Sequence, residues 1–387
     1  MNASRVPGAA VLAGASCLLL ATAALAQPDP MGAALFLFPG SHPSPATATS
    51  AGLALSDRWL GDDAFDNPAV AARGRVSVSP LLERMSRQDL RADDRSFDER
   101  AAFLDGASAQ VVVPIADLGL VLYVAQPVVR LEDLAFTRGL LADPGPPARV
   151  GGETTTRELH AGAGLSARFL GLRWGAAGEW TRRNDRYLAK EDNGGPSSGT
   201  RQASFEGSGI GAQAGVRASW PSVGPLGRTT LGLSARFVPE LSLEGTRETD
   251  QFLGTSSTPI AATREAGYEA GVSIATFVTR TFRVVLGGGG RTAQDWTGFD
   301  VTSGRQAMGS IGGEFKDPET PWTFRFGLGM EQQDGSPESR AGIVGIGAEW
   351  RSESLHIGTG IIRRSFQRPD SPTSFDNRVV LTVAVEH

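Results

Sequence analysis

Residues that form crosslinks and metal sites are scarce in this sequence. Of its 387 residues only Cys17 is a cysteine, and it lies close to the N-terminus. The four histidines are His42, His160, His356 and His387, and none of their spacings matches a metal-binding motif. With a single thiol no disulfide can form within the chain, and we predict no metal site and no cofactor.

Long apolar runs and basic charge are also scarce. Beyond residue 26 no run reaches the roughly 18 consecutive apolar residues that a membrane-spanning helix needs. The formal charge is −5, and lysine occurs only at Lys190 and Lys316. Spanning helices are therefore not predicted, and the acidic balance argues against a nucleic-acid partner.

The first 26 residues have the pattern of a secretory signal. Arg5 is their only charged residue, residues 11–26 are almost wholly apolar, and Ala24-Leu25-Ala26 offers small side chains for cleavage. Cys17 would be the acylated residue of a lipoprotein, but Gly14-Ala15-Ser16 before it fits that reading poorly. We predict an exported chain from which residues 1–26 are removed.

Alternation of apolar with small or charged residues dominates the sequence from about residue 150. Residues 159–169, 210–220, 229–237 and 322–331 each carry apolar side chains at every second position. Glycine, present 49 times, fills many of the positions between them. Because successive side chains of a strand point to opposite faces, each segment has one apolar face and one small or charged face.

Two all-β architectures would use such strands differently. In a soluble sandwich the apolar face packs against a second sheet, whereas in a transmembrane barrel it contacts lipid. The segments reach the length of about 9–11 residues that a spanning strand needs. Aromatic residues stand near their ends, and short turns alternate with long polar loops, as in outer-membrane barrels. These aromatic residues are Trp174, Trp180, Trp220, Trp322 and Trp350.

We therefore predict a transmembrane antiparallel β-barrel of about 14 strands over residues 71–387, located in the outer membrane. The predicted strands are 71–80, 106–115, 118–136, 153–169, 172–186, 203–220, 227–244, 263–279, 281–296, 304–316, 321–331, 340–351, 353–365 and 377–387. Long loops are predicted near 81–105, 139–152, 186–202, 245–262, 297–303, 332–339 and 366–376. The first and third strands are the least regular.

Residues 27–70 precede the first predicted strand. They are rich in Pro, Ala, Thr and Ser and contain apolar clusters at 35–38 and 53–60. The segment is too apolar for a free tail and too long for a linker. We predict that it forms a plug, or hatch, inside the lumen of the barrel.

Residues 50–72 read SAGLALSDRWLGDDAFDNPAVAA. This stretch resembles the N-terminal hatch of the FadL-type outer-membrane transporters, in which acidic residues lead to an Asn-Pro-Ala triplet just before the first strand. The matching residues are Asp62, Asp63, Asn67, Pro68 and Ala69. The resemblance implies a 14-stranded barrel with a hatch, and it implies uptake of long-chain fatty acids or aromatic hydrocarbons. A related branch of similar fold is an accessory to protein secretion.

The C-terminus departs from the pattern of this family. FadL-type chains usually finish with an aromatic residue that the outer-membrane assembly machinery recognises, whereas this chain ends in Val385-Glu386-His387. The hatch and the loops are also short for a fatty-acid transporter. These departures leave the identity of the substrate undecided.

Charged residues recur on the predicted lumen face. In one reading they pair across the lumen and solvate it; in the other, an arginine ladder attracts carboxylate substrates. His160 and His356 also fall on this face, as isolated polar groups or as a paired site. The charged residues are Arg168, Arg173, Arg217, Arg236, Arg283, Arg325, Glu179, Glu269, Glu331 and Glu349.

The favoured function is passive uptake of a hydrophobic small molecule, with the outer-membrane lipid and the assembly machinery as further partners. The alternative is a non-transporting barrel that serves as a docking or accessory protein for secretion or surface assembly, with a secretion-system partner. No catalytic residue is predicted, because no nucleophile and base have the arrangement that outer-membrane hydrolases need. We therefore predict that the chain is not an enzyme.

Overall fold

In the part of the chain that the structure describes, nineteen antiparallel strand segments form a single sheet. The computed structural model describes residues 53–70, 74–85, 95–98, 106–138, 148–192, 199–221, 227–251, 254–297, 301–316, 318–334, 339–368 and 371–386. The segments are β1 (Arg75–Met85), β2 (Arg95–Asp98), β3 (Gly106–Ile115), β4 (Leu118–Arg138), β5 (Ala148–Phe169), β6 (Leu172–Asp192), β7 (Gly199–Trp220), β8 (Thr229–Val238), β9 (Leu241–Gln251), β10 (Gly254–Arg264), β11 (Gly267–Phe277), β12 (Phe282–Arg291), β13 (Gln294–Thr297), β14 (Val301–Ser303), β15 (Gln306–Lys316), β16 (Trp322–Gln333), β17 (Ser339–Arg351), β18 (Leu355–Arg368) and β19 (Ser371–Glu386).

The sheet closes on itself because β1 pairs with both β3 and β19. Ten of the segments form five pairs that each continue one barrel strand: β2 with β3, β8 with β9, β10 with β11, β12 with β13, and β14 with β15. The barrel therefore has fourteen strands, each hydrogen-bonded to its neighbours in sequence. The predicted all-β, antiparallel barrel of about 14 strands is confirmed.

The apolar stripe of each strand faces outward. Side chains at the alternating positions identified in the sequence are largely exposed, for example Leu165 at 52%, Ile210 at 77% and Met330 at 70%. Their neighbours in the chain, such as Ser166 and Glu331, point inward and are buried. A sandwich would cover the apolar face with a second sheet, and among the described residues no such layer exists. The outward band is the surface that lipid would cover.

Tryptophans border this band near the end of the barrel where the short turns lie. Trp174, Trp220 and Trp322 are exposed there, and Trp322 stands directly opposite Trp350 in the β16–β17 ladder. The turns at 116–117 and 170–171, together with the start of β1 and the end of β19, mark this short-turn end. An aromatic belt at this level is typical of a membrane interface.

At the opposite end of the barrel, here called the hairpin end, several of the predicted loops are wrong. Segments expected as long polar loops at 186–202, 245–262 and 366–376 are largely strand, since β6 runs to Asp192, β9 to Gln251 and β18 to Arg368. Every residue from 254 to 259 of β10 is exposed, whichever way it points, so this hairpin projects beyond the barrel. Polar sequence does not end a strand, because an antiparallel partner can satisfy the backbone in water as well as in lipid.

The beginning of the chain is described only in part. The first strand starts at Arg75 and runs to Met85, not from 71 to 80 as predicted, and β5 begins at Ala148, earlier than expected. The predicted signal at 1–26, with Cys17, and residues 27–52 of the predicted plug lie outside the described residues. In the part of the chain that the structure describes, no helix is long and apolar enough to cross a membrane.

Four adjacent barrel strands are interrupted at one level of the wall. The breaks are two residues each, at 239–240, 265–266, 292–293 and 304–305, and ladder pairs on either side align them into a row. The inward parity also changes across a break, since Val238 and Leu241 are both buried. Bulges of this kind bend and twist a sheet. These four breaks are here called the bulge row.

An arginine on the outer face of β16 tests whether the apolar band contacts lipid. We expect Leu328→Arg to lower the free energy of unfolding in lipid vesicles by about 2–4 kcal/mol, because a charge near the bilayer midplane loses its hydration. The matched control is Gln332→Arg, on the same outer face nearer the hairpin end, for which about 0–1 kcal/mol is expected. Equal effects of the two substitutions in urea titrations would contradict the lipid-facing assignment.

Candidate ligand path

Residues 53–70, here called the inner segment, lie inside the ring of strands. Apolar side chains along the whole segment are buried, among them Leu53, Trp59, Phe65 and Val70. They pack against the inner wall on several sides, with Leu53 near Val285 and Phe65 near Tyr123. The lumen at this level is therefore filled by the chain's own residues.

Inward-facing glycines make room for the inner segment. A methyl group at Gly271 would overlap the Trp59 ring, and one at Gly289 would lie 2.6 Å from Cη2 of the same ring. Opposite, a methyl group at Gly215 would meet the side-chain oxygen of Asn67. The other glycines whose missing side chain leaves space for the inner segment are Gly175, Gly232, Gly287, Gly312 and Gly327.

Asn67 organises the turn that ends the inner segment. Its Nδ2 donates to the carbonyl oxygens of Trp59 at 2.7 Å and of Leu233 at 3.2 Å, and its Oδ1 accepts from the amide of Ala69 at 2.9 Å. Asn67 thus ties the segment to itself and to β8. The triplet with Pro68 and Ala69 is buried throughout, which explains its sequence: a polar side chain makes the bonds and two compact residues fit against Gly175.

The two acidic residues before this turn have different surroundings. The Asp63 carboxylate is buried and accepts from the amide of Phe65 at 2.8 Å, while Asp62 is exposed and pairs with Arg217 at 3.1 Å. Arg217 also donates to the carbonyl oxygen of Gly61 at 3.1 Å, and Arg173 donates to that of Val70 at 3.3 Å. Wall arginines therefore bind the inner segment largely through its backbone.

Arg58 carries a buried positive charge within the inner segment. It contacts Asp66 at 2.7 Å in the same segment and Glu269 of β11 at 2.6 Å. Burial opposes this charge, but the Coulombic attraction of Glu269 and Asp66 holds the pKa of the guanidinium above its ordinary value. The pair with Glu269 joins the inner segment to the barrel wall.

Arg236 of β8 attaches the inner segment to the barrel wall at a second point. It donates to the carbonyl oxygen of Phe65, and its guanidinium lies 4.0 Å above the centre of the Phe65 ring. The ring also meets His160 edge-on, with 5.2 Å between ring centres. Phe65 is therefore held between charged and aromatic groups of the wall.

A buried polar network continues from Phe65 towards the hairpin end. His160 contacts Glu179 at 2.8 Å and Glu158 at 3.1 Å, and Glu179 accepts from the Tyr123 hydroxyl at 2.7 Å. Arg236 lies 3.6 Å from the same Glu179 carboxylate. The network covers β4, β5, β6 and β8 and rigidifies this side of the lumen.

A separate ionic network lies on the inner wall near the short-turn end. Arg325 binds Glu314 at 2.9 Å and also Glu349, and Arg283 lies 3.6 Å from Glu314. His356 contacts Glu349 at 3.4 Å. His356 and His160 thus belong to different networks, so the paired histidine site considered from the sequence does not form.

Most of the predicted lumen charges are paired. Arg217, Arg236 and Arg325 contact carboxylates, as do Arg364 with Glu331 and Arg58 with Glu269, whereas Arg168 is exposed near the short-turn end. These charges are therefore paired and do not form an arginine ladder, but they pair between nearby strands or with the inner segment and not across the lumen as predicted. Sequence reasoning missed Arg58, Tyr123, Glu158, Arg264 and Arg364. Period-two parity places Tyr123, Glu158 and Arg364 on the inner face, whereas Arg264 faces inward only because the parity changes at the break at 265–266. Among the described residues, no group of acidic, histidine or cysteine side chains could hold a metal ion.

An apolar patch interrupts this polar lining between the inner segment and the hairpin end. Phe205 of β7 and Leu241 and Leu243 of β9 are fully buried, and Ala262 of β10 stands directly opposite Leu243. These residues, here called the apolar wall patch, lie next to the bulge row. A water-filled pore would line this level with polar side chains.

Known structures resemble this arrangement over nearly the whole chain. The CymD monoaromatic hydrocarbon channel is 12% identical with a TM-score of 0.62, over 90% of this chain and 98% of that one. A FadL homologue from Pseudomonas aeruginosa is 14% identical with a TM-score of 0.59, over the same shares. This chain has the FadL-type fold. The toluene transporter TbuX from Ralstonia pickettii is 13% identical with a TM-score of 0.56, over 87% of this chain and 98% of that one.

The fold likeness does not extend to the sequence level. No protein-family model matches the chain, and neither does any curated protein. The resemblance stated from residues 50–72 is nevertheless confirmed for the FadL-type fold. A fold kept at such low identity is consistent with a barrel specified by alternation, since many side chains satisfy the same inward or outward requirement.

The glycine contacts of Trp59 predict that a single methyl group will disturb the inner segment. We expect Gly271→Ala to displace the Trp59 ring, to cost about 1–3 kcal/mol of stability, and to speed proteolysis within residues 53–70. Gly309→Ala is the control, because Gly309 has nothing within 4 Å of its missing side chain. Cleavage mapped by mass spectrometry should differ between the variants; the same rate in both would refute the packing argument.

The buried pair at Arg58 predicts a large loss when its cation is removed. We expect Arg58→Met to cost about 3–5 kcal/mol, because two buried carboxylates lose their common partner. The control Arg182→Met removes an exposed pair with Glu206 and should cost about 0–1 kcal/mol. Adding Glu269→Gln to Arg58→Met should restore part of the loss in urea unfolding. A double variant no more stable than Arg58→Met would contradict the assignment.

Proposed function

We propose that this protein is an outer-membrane channel for the passive uptake of a hydrophobic small molecule. The apolar wall patch carries the proposal, because it places large apolar side chains on the inner wall between the inner segment and the hairpin end. A ligand entering at the hairpin end would have to part the side chains around Phe205, Leu241 and Leu243, which are fully buried, before it reaches the inner segment. Contact with such a surface favours apolar solutes over hydrated ones.

The location in the outer membrane rests on the outer surface of the barrel. A continuous apolar band and a tryptophan belt suit a bilayer, and the unequal ends suit short periplasmic turns and projecting external hairpins. Export by a signal at residues 1–26 remains a prediction, and so does recognition of the last strand by the assembly machinery.

The inner segment would act as the hatch. Asp62, Asp63, Asn67, Pro68 and Ala69 hold its final turn, and most of the attachments to the wall are hydrogen bonds and ion pairs that can exchange for water or ligand. Movement of this turn would open a route from the apolar wall patch towards the short-turn end. The names of two similar structures, a monoaromatic hydrocarbon channel and a toluene transporter, support an apolar substrate.

Removal of residues 27–70 tests the hatch role. We expect intact Gram-negative cells that make the truncated barrel to take up radiolabelled toluene at a changed rate and to leak a hydrophilic dye faster, because the lumen is no longer filled. Cells making the Gly309→Ala variant, whose inner segment keeps all its contacts, are the control. Uptake and leakage that both equal those of the full chain would exclude the proposal.

The docking alternative makes a different prediction in the same experiment. A non-transporting accessory barrel would copurify with a secretion or surface-assembly partner, and expression of the full chain would leave toluene uptake at the level of cells without it. Mass spectrometry of the detergent-purified protein, read together with the uptake rates, separates the two functions.

A further inference from the structure

Three arginines share the outer face of β5 and β6 near the hairpin end. They are Arg157 of β5 and Arg182 and Arg186 of β6, and each of them is exposed. Their chain neighbours Glu158 and Arg183 point into the lumen and are buried, so the period-two parity of both strands agrees with the outward direction of the three. They are here called the arginine triangle.

The β5–β6 ladder gives the triangle its shape. Arg157 stands directly opposite Asn184, which lies midway between Arg182 and Arg186 on the same face. Each of the two β6 arginines is therefore a diagonal neighbour of Arg157, with about 7–8 Å between them, a distance that long side chains span. Like charges this close repel one another, and an anion bound among them would relieve the repulsion.

Glu206 of β7 is the acidic side chain that borders the triangle. It stands opposite Asn184 in the β6–β7 ladder and lies 2.9 Å from Arg182, and more than half of each of these two side chains is exposed. An exposed pair of this kind contributes little, so Arg182 can exchange it for an anion that binds more strongly. The next strand carries Glu244 opposite Glu206, so the basic face ends at β7.

Apolar side chains adjoin the triangle on the side that faces the apolar band. Leu159 of β5 stands opposite Arg182 on the outer face. Two positions nearer the short-turn end, Trp180 and Ile210 stand opposite each other and are 40% and 77% exposed. A tryptophan on the apolar band with arginines just beyond it follows the order of acyl chains and charged head groups at a bilayer surface.

We propose that the arginine triangle binds a phosphate group of lipid A in the outer leaflet, with the acyl chains of that lipid on Leu159, Trp180 and Ile210. The inference rests on the outer-membrane location in the proposed function, which turns the hairpin end outward. Lipid A joins a phosphorylated sugar head to several acyl chains, so it offers both kinds of contact that this surface provides. Arginine suits phosphate because its planar guanidinium donates to two oxygens at once.

Two forms of one lipid isolate the contribution of the phosphates. Bisphosphorylated lipid A, and the same lipid with both phosphates removed, are titrated into the full-length protein in an uncharged detergent at pH 7.5. EDTA removes divalent cations, and native mass spectrometry counts the bound lipids. We expect the phosphorylated form to bind about 25-fold more tightly, because each basic side chain near an anionic lipid contributes about fivefold and Glu206 offsets one of the three.

Variants of the triangle and of its acidic neighbour make opposite predictions. Arg182→Gln combined with Arg186→Gln should remove the preference for phosphate, whereas Arg186→Lys, which keeps the charge but loses the planar group, should retain part of it. Glu206→Gln should tighten binding of lipid A about fivefold, a gain that misfolding cannot imitate. Arg363→Gln is the control and should behave as wild type, because Arg363 faces outward on β18 opposite Val344.

Equal affinity of the wild type for the two lipids, or a preference that persists in the double variant, overturns the site. Phosphatidylglycerol that binds as tightly as lipid A, or inorganic phosphate that displaces it, also overturns the site, because either result shows only a general attraction for anions. If the double variant does not fold, the wild-type ratio and the gain in Glu206→Gln still decide the question.

Toluene uptake by cells that make the double variant separates this inference from the proposed function. We expect uptake at the wild-type rate, because the triangle lies on the outer face of the barrel and not in its lumen. Uptake by a wild type that shows no preference for lipid A overturns the inference alone. A preference for lipid A without any uptake supports the site and overturns the proposed uptake.

Discussion

Contact between the inner segment and inward glycines is the interaction on which the rest of the structure depends. A closed antiparallel barrel of fourteen strands satisfies its own backbone, but it encloses a space that must be filled or wetted. Here Trp59 and Asn67 occupy volume that side chains at Gly271, Gly289 and Gly215 would otherwise take. Part of the high glycine content therefore has a structural cause: inward positions without a side chain leave room for the chain's own N-terminal residues.

Buried charge follows from the same enclosure. Inward positions of a barrel are polar, and once the lumen is filled these polar groups lose water and need partners. Arg58 meets Glu269, and Glu179 meets Tyr123 and His160. One ionic network lies towards the hairpin end and the other near the short-turn end. Both join side chains of neighbouring strands and so hold the wall in register. They act mainly as structural supports, and this is why most predicted lumen arginines are not free to attract ligands.

The bulge row interrupts the wall at one place. Four adjacent strands are interrupted where the lining changes from charged to apolar, and a bulge re-aims the side chains around it. Leu241 and Arg264 are brought opposite each other next to two of these breaks.

Alternation of period two determined much of this protein from the sequence alone. It fixed the strand type, the number of barrel strands and the face on which residues such as Leu165, Met330 and Glu331 lie, because parity is a local property of an extended chain. It did not fix strand ends at the hairpin end, since polar residues continue a ladder in water. Nor could it show that Arg58 meets Glu269 or that Arg264 meets Glu158. Those contacts join residues far apart in the chain, and only closure of the barrel around the inner segment brings them within hydrogen-bonding distance.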